Sequence, residues 1–485
     1  MPVTHSQDEA RPPSGLAWSA RLVWRRLGAC HPILLCGGLL VAFLAFHIPI
    51  PFTDKAYDAH RVAISLVMAL LLMGGYPRPA RWILIVVTFL TAWGLAALVQ
   101  SPRPVEGLAV LMTHLALLLV GWRTFASART NPSLATRSWQ AVAVVAAVVY
   151  AVRTGAAIVA GMHADQVLLR EVFFGFANVR HFAQLTPLLL PVIASAAWPA
   201  DGQVHRAWRQ AAWAALVAWW MLVWLNGSSG AFYAIWIGLA ITVAIAGWRR
   251  TGWLVKTTGI AFVAALAIIY LLDAITPLLR GVLESTAPGL SGRSWLWPHA
   301  LSLINAQPWL GYGPGQFAYL VPTGPGHPHN LVLSFALDYG LIGLALVGLL
   351  FWRWFSPLRL AREVRALPEV QACWPVALIA AAFGGLAHAT VSGVTVMPLS
   401  QLVLAVTLGL LAGSRRASPV PASGGGMVIR AGSTVVAIVL VASIAFSLPS
   451  SCGYEKADAA CRYSPAFWGQ YPSGAGEPLY DEGTR

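Results

Sequence analysis

Apolar residues occur in this chain as long unbroken runs, separated by short stretches that hold most of the charge. About thirteen such runs reach or approach the length of a bilayer crossing. They lie near 32–50, 60–75, 82–99, 107–122, 139–160, 181–198, 211–225, 231–247, 257–276, 331–352, 374–390, 397–413 and 431–449. The runs are continuous rather than alternating, so they predict membrane helices and not the strands of a barrel. The first starts late and further spans follow it, which is unlike a cleavable signal peptide. No internal repeat of fixed period is evident. The expected fold is all-α: a transmembrane bundle of about 12–13 spans, with one long loop carrying short surface helices.

Composition agrees. Of 485 residues, 58% are hydrophobic and 10% charged, mean hydropathy is +0.67, and 22 residues are Trp. A soluble domain carries about 25% charged residues. So much apolar surface excludes a soluble globule or a disordered chain. Five Cys exclude a disulfide scaffold.

The net charge of +14 would point to nucleic acid in a soluble protein. Its distribution gives another reason. With the N-terminus in the cytoplasm, 21 of the 32 Lys and Arg fall on inner segments. That bias is the positive-inside rule, and no nucleic-acid partner is implied. The chain then divides into an inner N-terminal segment 1–31, spans one to nine over 32–276, and a long outer loop over 277–330. Spans ten to twelve follow over 331–413, then an inner Pro/Ser/Gly linker 414–430, a last span 431–449 and an outer tail 450–485. In an oxidising compartment the tail's Cys452 and Cys461 can pair; with one span miscounted they remain free thiols.

The long outer loop concentrates the chemistry. A helix is expected over about 293–306, with Ser291 as a possible cap, and its Trp295 and Trp297 suit a membrane surface. Turn residues Pro308, Gly311, Gly313, Pro314 and Gly315 come next, then His327-Pro328-His329-Asn330. The GYGPGQ stretch lacks the strand–turn–helix setting of a phosphate loop. His327 and His329, even with His299, form a poor metal set, because no carboxylate stands beside them. A His here can be a general base toward a sugar hydroxyl, or a structural group that hydrogen-bonds the loop. Arg170, Arg180, Arg280 and Arg293 lie outside, against the orientation bias, and guanidinium forks bind phosphate oxygens. Arg153, within a span, is either a snorkelling residue or a functional one. Arginines, histidines and Trp on one face suit an anionic lipid carrying a glycan.

These residues carry a resemblance. Gly292-Arg293, Trp297, Pro308-Trp309-Leu310-Gly311-Tyr312-Gly313, His329-Asn330-Leu331, Leu333 and Asp338-Tyr339-Gly340-Leu341-Ile342-Gly343 follow one pattern. It resembles the O-antigen ligase and O-antigen polymerase superfamily, which includes the bacterial protein O-oligosaccharyltransferases. The likeness is most specific over about 290–345. It extends more weakly over 171–413, through Phe176-x-Asn178-x-x-Arg180.

The resemblance implies a metal-independent glycosyltransferase of the bacterial inner membrane that needs no cofactor. It would move a glycan from undecaprenyl pyrophosphate to an acceptor hydroxyl on the periplasmic side. In a ligase that acceptor is lipid A–core; in siblings it is a glycan chain or a protein. His329 corresponds to the catalytic base. Arg180 and Arg293 correspond to the pyrophosphate ligands, with Arg280 a third candidate. His327, Asn330 and Asn178 are secondary candidates. Two departures stand out. Relatives carry Ser-Arg-Gly where this chain reads Ser228-Ser229-Gly230, and the last span with its Cys-bearing tail is unusual.

Two other classes fit less well. A transporter would show repeats and midplane charges rather than one polar loop. A metal-dependent oligosaccharyltransferase would show an acidic pair in the first outer loop, where only Asp54 and Asp58 stand, four apart.

Overall fold

A computed structural model describes residues 32–45, 64–65, 67, 81–163, 173, 176, 179–198, 205–275, 293–321 and 326–415. Among them the chain is helical, without strands. Helix α1 is Pro32–Ala45. Then come α2 (Arg81–Val99), α3 (Pro104–Thr130), α4 (Pro132–His163), α5 (Val179–Ala183), α6 (Thr186–Ala197), α7 (Arg206–Asn226), α8 (Ser229–Ala246) and α9 (Trp248–Ile275). After the long loop begin α10 (Arg293–Ala306), α11 (Phe317–Leu320), α12 (Leu331–Phe355), α13 (Pro357–Arg365), α14 (Glu369–Ala389) and α15 (Pro398–Ser414). Six described helical segments are long and apolar enough to cross a membrane, and four shorter helices are apolar. The chain is an all-α polytopic protein.

Helices outrun their apolar runs. Only Asn131 separates α3 from α4, and α9 begins at Trp248 and runs through the basic stretch Arg249, Arg250 and Lys256. Ends are set by local chemistry. Gly227 closes α7 in the left-handed conformation, and the Ser228 hydroxyl accepts from Ala231 N to open α8. Ser356 and Pro357 start α13 in the same way.

Lipid tails give apolar helices no reason to separate from lipid, so packing depends on close backbone approach through small residues. A Cβ on Gly238 of α8 would lie 2.6 Å from Ala380 O of α14, and one on Gly409 of α15 would strike Gly121 O of α3. The core runs through these contacts and holds three fully buried Trp: Trp139, Trp219 and Trp220.

The basic ends of several helices are tied together. Arg250 Nη2 donates to Arg365 O (2.7 Å), and Arg249 pairs with Glu369. Arg415, 2% exposed, donates to Glu363 Oε2 (2.7 Å) and to Trp354 O (2.9 Å). In α12 this end lies about 37 Å from Leu331, at 1.5 Å per residue. The other end meets the long loop.

There α12 is broken. Gly340 has φ 66° and ψ −179°, a conformation open essentially to Gly alone. The break would orphan several polar groups. Instead, Leu337 O accepts from Tyr312 N (2.8 Å) and Asp338 O from Gly313 N (3.2 Å). Tyr339 O accepts from Trp93 Nε1 (2.9 Å), and Leu341 N donates to Pro308 O (2.7 Å). The turn 308–313 thus replaces the missing helical bonds. The apolar run 331–352 thus forms a helix with a glycine break inside it.

Candidate active site

The long loop returns to the bundle through α10. Its Leu296, Ala300 and Ile304 are buried with Phe317, Val321, Ala336 and Leu337. The helix matches the expectation over 293–306, and Ser291 lies outside the described residues. This packing fixes Arg293 at the first turn of α10. Its Nη2 donates to Val391 O (2.6 Å) in the connector between α14 and α15, while its Nε is buried with no hydrogen-bond partner among the described residues.

The histidine pair stands directly before α12. Asn330 caps that helix, its Oδ1 accepting from Val332 N (2.9 Å) and Leu333 N (3.1 Å). Its side chain is therefore engaged in holding the element in place. His329, immediately before the cap, has φ 52° and is the one non-glycine residue with positive φ among those described. Such strain gathers at functional sites. The ring of His327 lies 4.1 Å from that of His329, and His327 Nδ1 accepts from His329 N (3.1 Å). That bond leaves the proton of neutral His327 on Nε2, which is buried without a partner among the described residues. Pro328 O is held by Trp297 Nε1 (3.0 Å).

Charges converge on His329. Burial, and then the nearby guanidinium groups of Arg293 and Arg180, together lower its pKa to about 4. Arg180 is exposed at the start of α5, and its charge also lowers that of Arg293, which partial burial already depresses. The two arginines are close enough to repel, so an anion between them would relieve the repulsion. Burial and the charge on His329 hold His327 well below the ordinary value. Both histidines are neutral at pH 7, and His329 is able to accept a proton.

Other residues complete the site without having been singled out in the sequence. His181 and Gln184 are buried beside the pair. A Cβ on Gly393 would lie 2.8 Å from His327 Nε2 and 3.4 Å from Gln184 Nε2. Gln184 accepts from Ser400 Oγ (3.0 Å) and donates to Ser392 Oγ (3.3 Å). His388 is buried near Arg293, its Nδ1 without a partner among the described residues. A Cβ on Gly230 would lie 3.5 Å from its ring. The first turn of α8 therefore meets His388. The available signal was an ionisable residue alone in an apolar span, as His388 is in 374–390.

Some expectations are modified. His299 is exposed on α10 while His327 is buried, so it does not join the pair. Among the described residues no three His, Cys, Asp or Glu form a metal-binding group. Arg153 Nη1 donates to Leu44 O (3.0 Å) of α1, a structural tie. Asn178, Arg170, Arg280, Cys452, Cys461 and the span 431–449 lie outside the described residues.

Residues 213–348 match the family model described as O-antigen ligase. The match runs from α7 through α10, the histidine pair and the repaired break in α12, and ends before α14. No curated protein matches the chain. Over this segment, the chain is similar to the O-antigen ligase family.

Proposed function

We infer that the protein is a glycosyltransferase of the Gram-negative inner membrane. It transfers a glycan from undecaprenyl pyrophosphate to an acceptor hydroxyl at the periplasmic face. The product expected is O-antigen joined to lipid A–core. The carrying observation is the convergence of Arg180 and Arg293 on a strained, neutral His329.

The donor pyrophosphate lies between Arg180 and Arg293, with Arg280 as a third candidate ligand. The acceptor oxygen attacks the anomeric carbon, and the bond from that carbon to the phosphate oxygen breaks. The electron pair leaves with the lipid pyrophosphate, whose charge the arginines stabilise. His329 takes the acceptor proton. A single displacement inverts the anomeric carbon. The anion between the arginines cancels the charges that depress His329, so donor binding makes it a stronger base when the proton must move. His327 orients His329 through the backbone bond, and Asn330 fixes the helix behind it.

The test is a lipopolysaccharide gel of the parent bacterium, wild type against a chromosomal His329→Ala mutant whose protein is shown to be present. Loss of the O-antigen ladder with accumulation of lipid-linked polymer is expected, and turnover should fall about 10²–10⁴-fold. Collapse to a single repeat would assign the chain to polymerisation. An unchanged ladder with loss of glycosylated protein would assign it to protein O-glycosylation. An unchanged ladder and unchanged protein glycosylation would sink the reading.

A further inference from the structure

The C-terminal end of α14 and the connector after it are tied to Arg293. Val391 O accepts from Arg293 Nη2 (2.6 Å), and Val391 N donates to His388 O (3.0 Å). A short chain of hydrogen bonds therefore joins the guanidinium to the last turn of α14, which carries His388. The His388 side chain is buried, and its ring is near enough for the charge of Arg293 to act on it. The first turn of α8 passes beside it. A Cβ on Gly230 would lie 3.5 Å from His388 Nε2 and 3.4 Å from Val391 Cγ2.

Two buried atoms in this neighbourhood have no hydrogen-bond partner among the described residues: Arg293 Nε and His388 Nδ1. Buried polar atoms left in this state are costly, and each calls for a reason. These two are complementary. The Nε–H of an arginine can only donate, and a neutral imidazole with its proton on Nε2 accepts at Nδ1. The guanidinium is planar, with its N–H groups in fixed directions. Nε–H and one N–H of Nη2 share one edge, and Nη1 and Nη2 share the next. Val391 O and His388 Nδ1 supply two acceptors for the first edge from one helix end. The second edge matches the oxygens of a phosphate.

We propose that His388 is the positioning residue of Arg293. When the donor binds, His388 Nδ1 accepts from Arg293 Nε–H while Val391 O keeps Nη2. The end of α14 then holds one edge of the guanidinium and presents the other to the pyrophosphate as a fork. An arginine fixed in this way gives up less freedom on binding. The inference rests on the glycosyl-transfer reading and adds to it the group that aims its cation.

The test uses the full chain in proteoliposomes, with undecaprenyl-pyrophosphate-linked O-antigen as donor and lipid A–core as acceptor. His388→Leu removes the acceptor atom, and His388→Asn keeps a side-chain oxygen near the place of Nδ1. Thermal unfolding of each variant is compared with wild type. Should His388→Leu not fold, His388→Gln, whose amide lies one bond further out, takes its place. The expected result is a rise in donor KM of about 10-fold in His388→Leu, the scale of one hydrogen bond to a charged group, with acceptor KM steady. His388→Asn should recover most of that loss. Arg293→Lys has no Nε–H, so in that background His388→Leu should cost less than about twofold more. A donor KM unmoved by His388→Leu, an Asn variant as impaired as the Leu one, or a cost undiminished in Arg293→Lys overturns the assignment. If wild type transfers glycan in any of those cases, the enzyme reading stands. A wild type that transfers nothing overturns both.

Discussion

At the scale of single residues, His329 is governed by two nearby cations. An ordinary His titrates near 6.5. Here burial and the charges of Arg293 and Arg180 lower it to about 4. Below that value it is protonated and cannot serve as a base. The acid limb of kcat/KM, which reports the free enzyme, should therefore fall below pH 6. Arg293→Gln removes a cation, so the His329 pKa rises and the limb moves to higher pH. An acid limb that stays near 6.5 in both proteins would show that His329 does not titrate in this environment. His329, Arg180 and Arg293 were legible from their family pattern. His388 and His181 were not, because each reaches the site only when α14 or α5 packs against the loop.

At the scale of elements, α10 was legible because its start and apolar spacing are local properties. The break in α12 was not. Asp338-Tyr339-Gly340 sits inside an uninterrupted apolar run, and what permits the break is hydrogen bonding from a turn about thirty residues upstream. Gly340→Ala should destabilise the protein by about 1–3 kcal/mol from backbone conformation alone. A Cβ there would also collide with Trp309 O. Thermal unfolding in detergent reads this, and a melting point equal to wild type would refute the geometry. Asn330→Ala removes the cap and should lower stability by about 0.5–2 kcal/mol. Because the cap adjoins His329, turnover should fall as well.

At the scale of the molecule, Lys and Arg counts carry the proposed orientation, and helix packing separates two chemically distinct ends. One joins Arg249, Arg250, Arg365 and Arg415 to helix ends and carboxylates; the other holds the histidines. The proposed orientation makes a labelling prediction. In a chain cleared of native cysteines, Trp309→Cys should react in intact spheroplasts with a membrane-impermeant maleimide. Leu358→Cys should react only after permeabilisation. Both positions are well exposed, at 66% and 77%. The reverse pattern would invert the topology. Apolar runs underestimated the helices because helix formation continues through basic residues once the chain leaves the hydrocarbon.

The turn that repairs α12 also bears on how the protein is made. The loop over 308–313 leaves the ribosome before α12 does. Hydrocarbon offers nothing to the carbonyls of Leu337 and Asp338, so the broken helix is complete only with the loop folded onto it. The loop, in turn, has no other partner for Tyr312 N and Gly313 N among the bonds described. Span and loop are thus halves of one unit, each short of hydrogen bonds until the other is in place. On the proposed function, a chain in which span and loop are apart lacks the assembled site and has no means of catalysing glycan transfer.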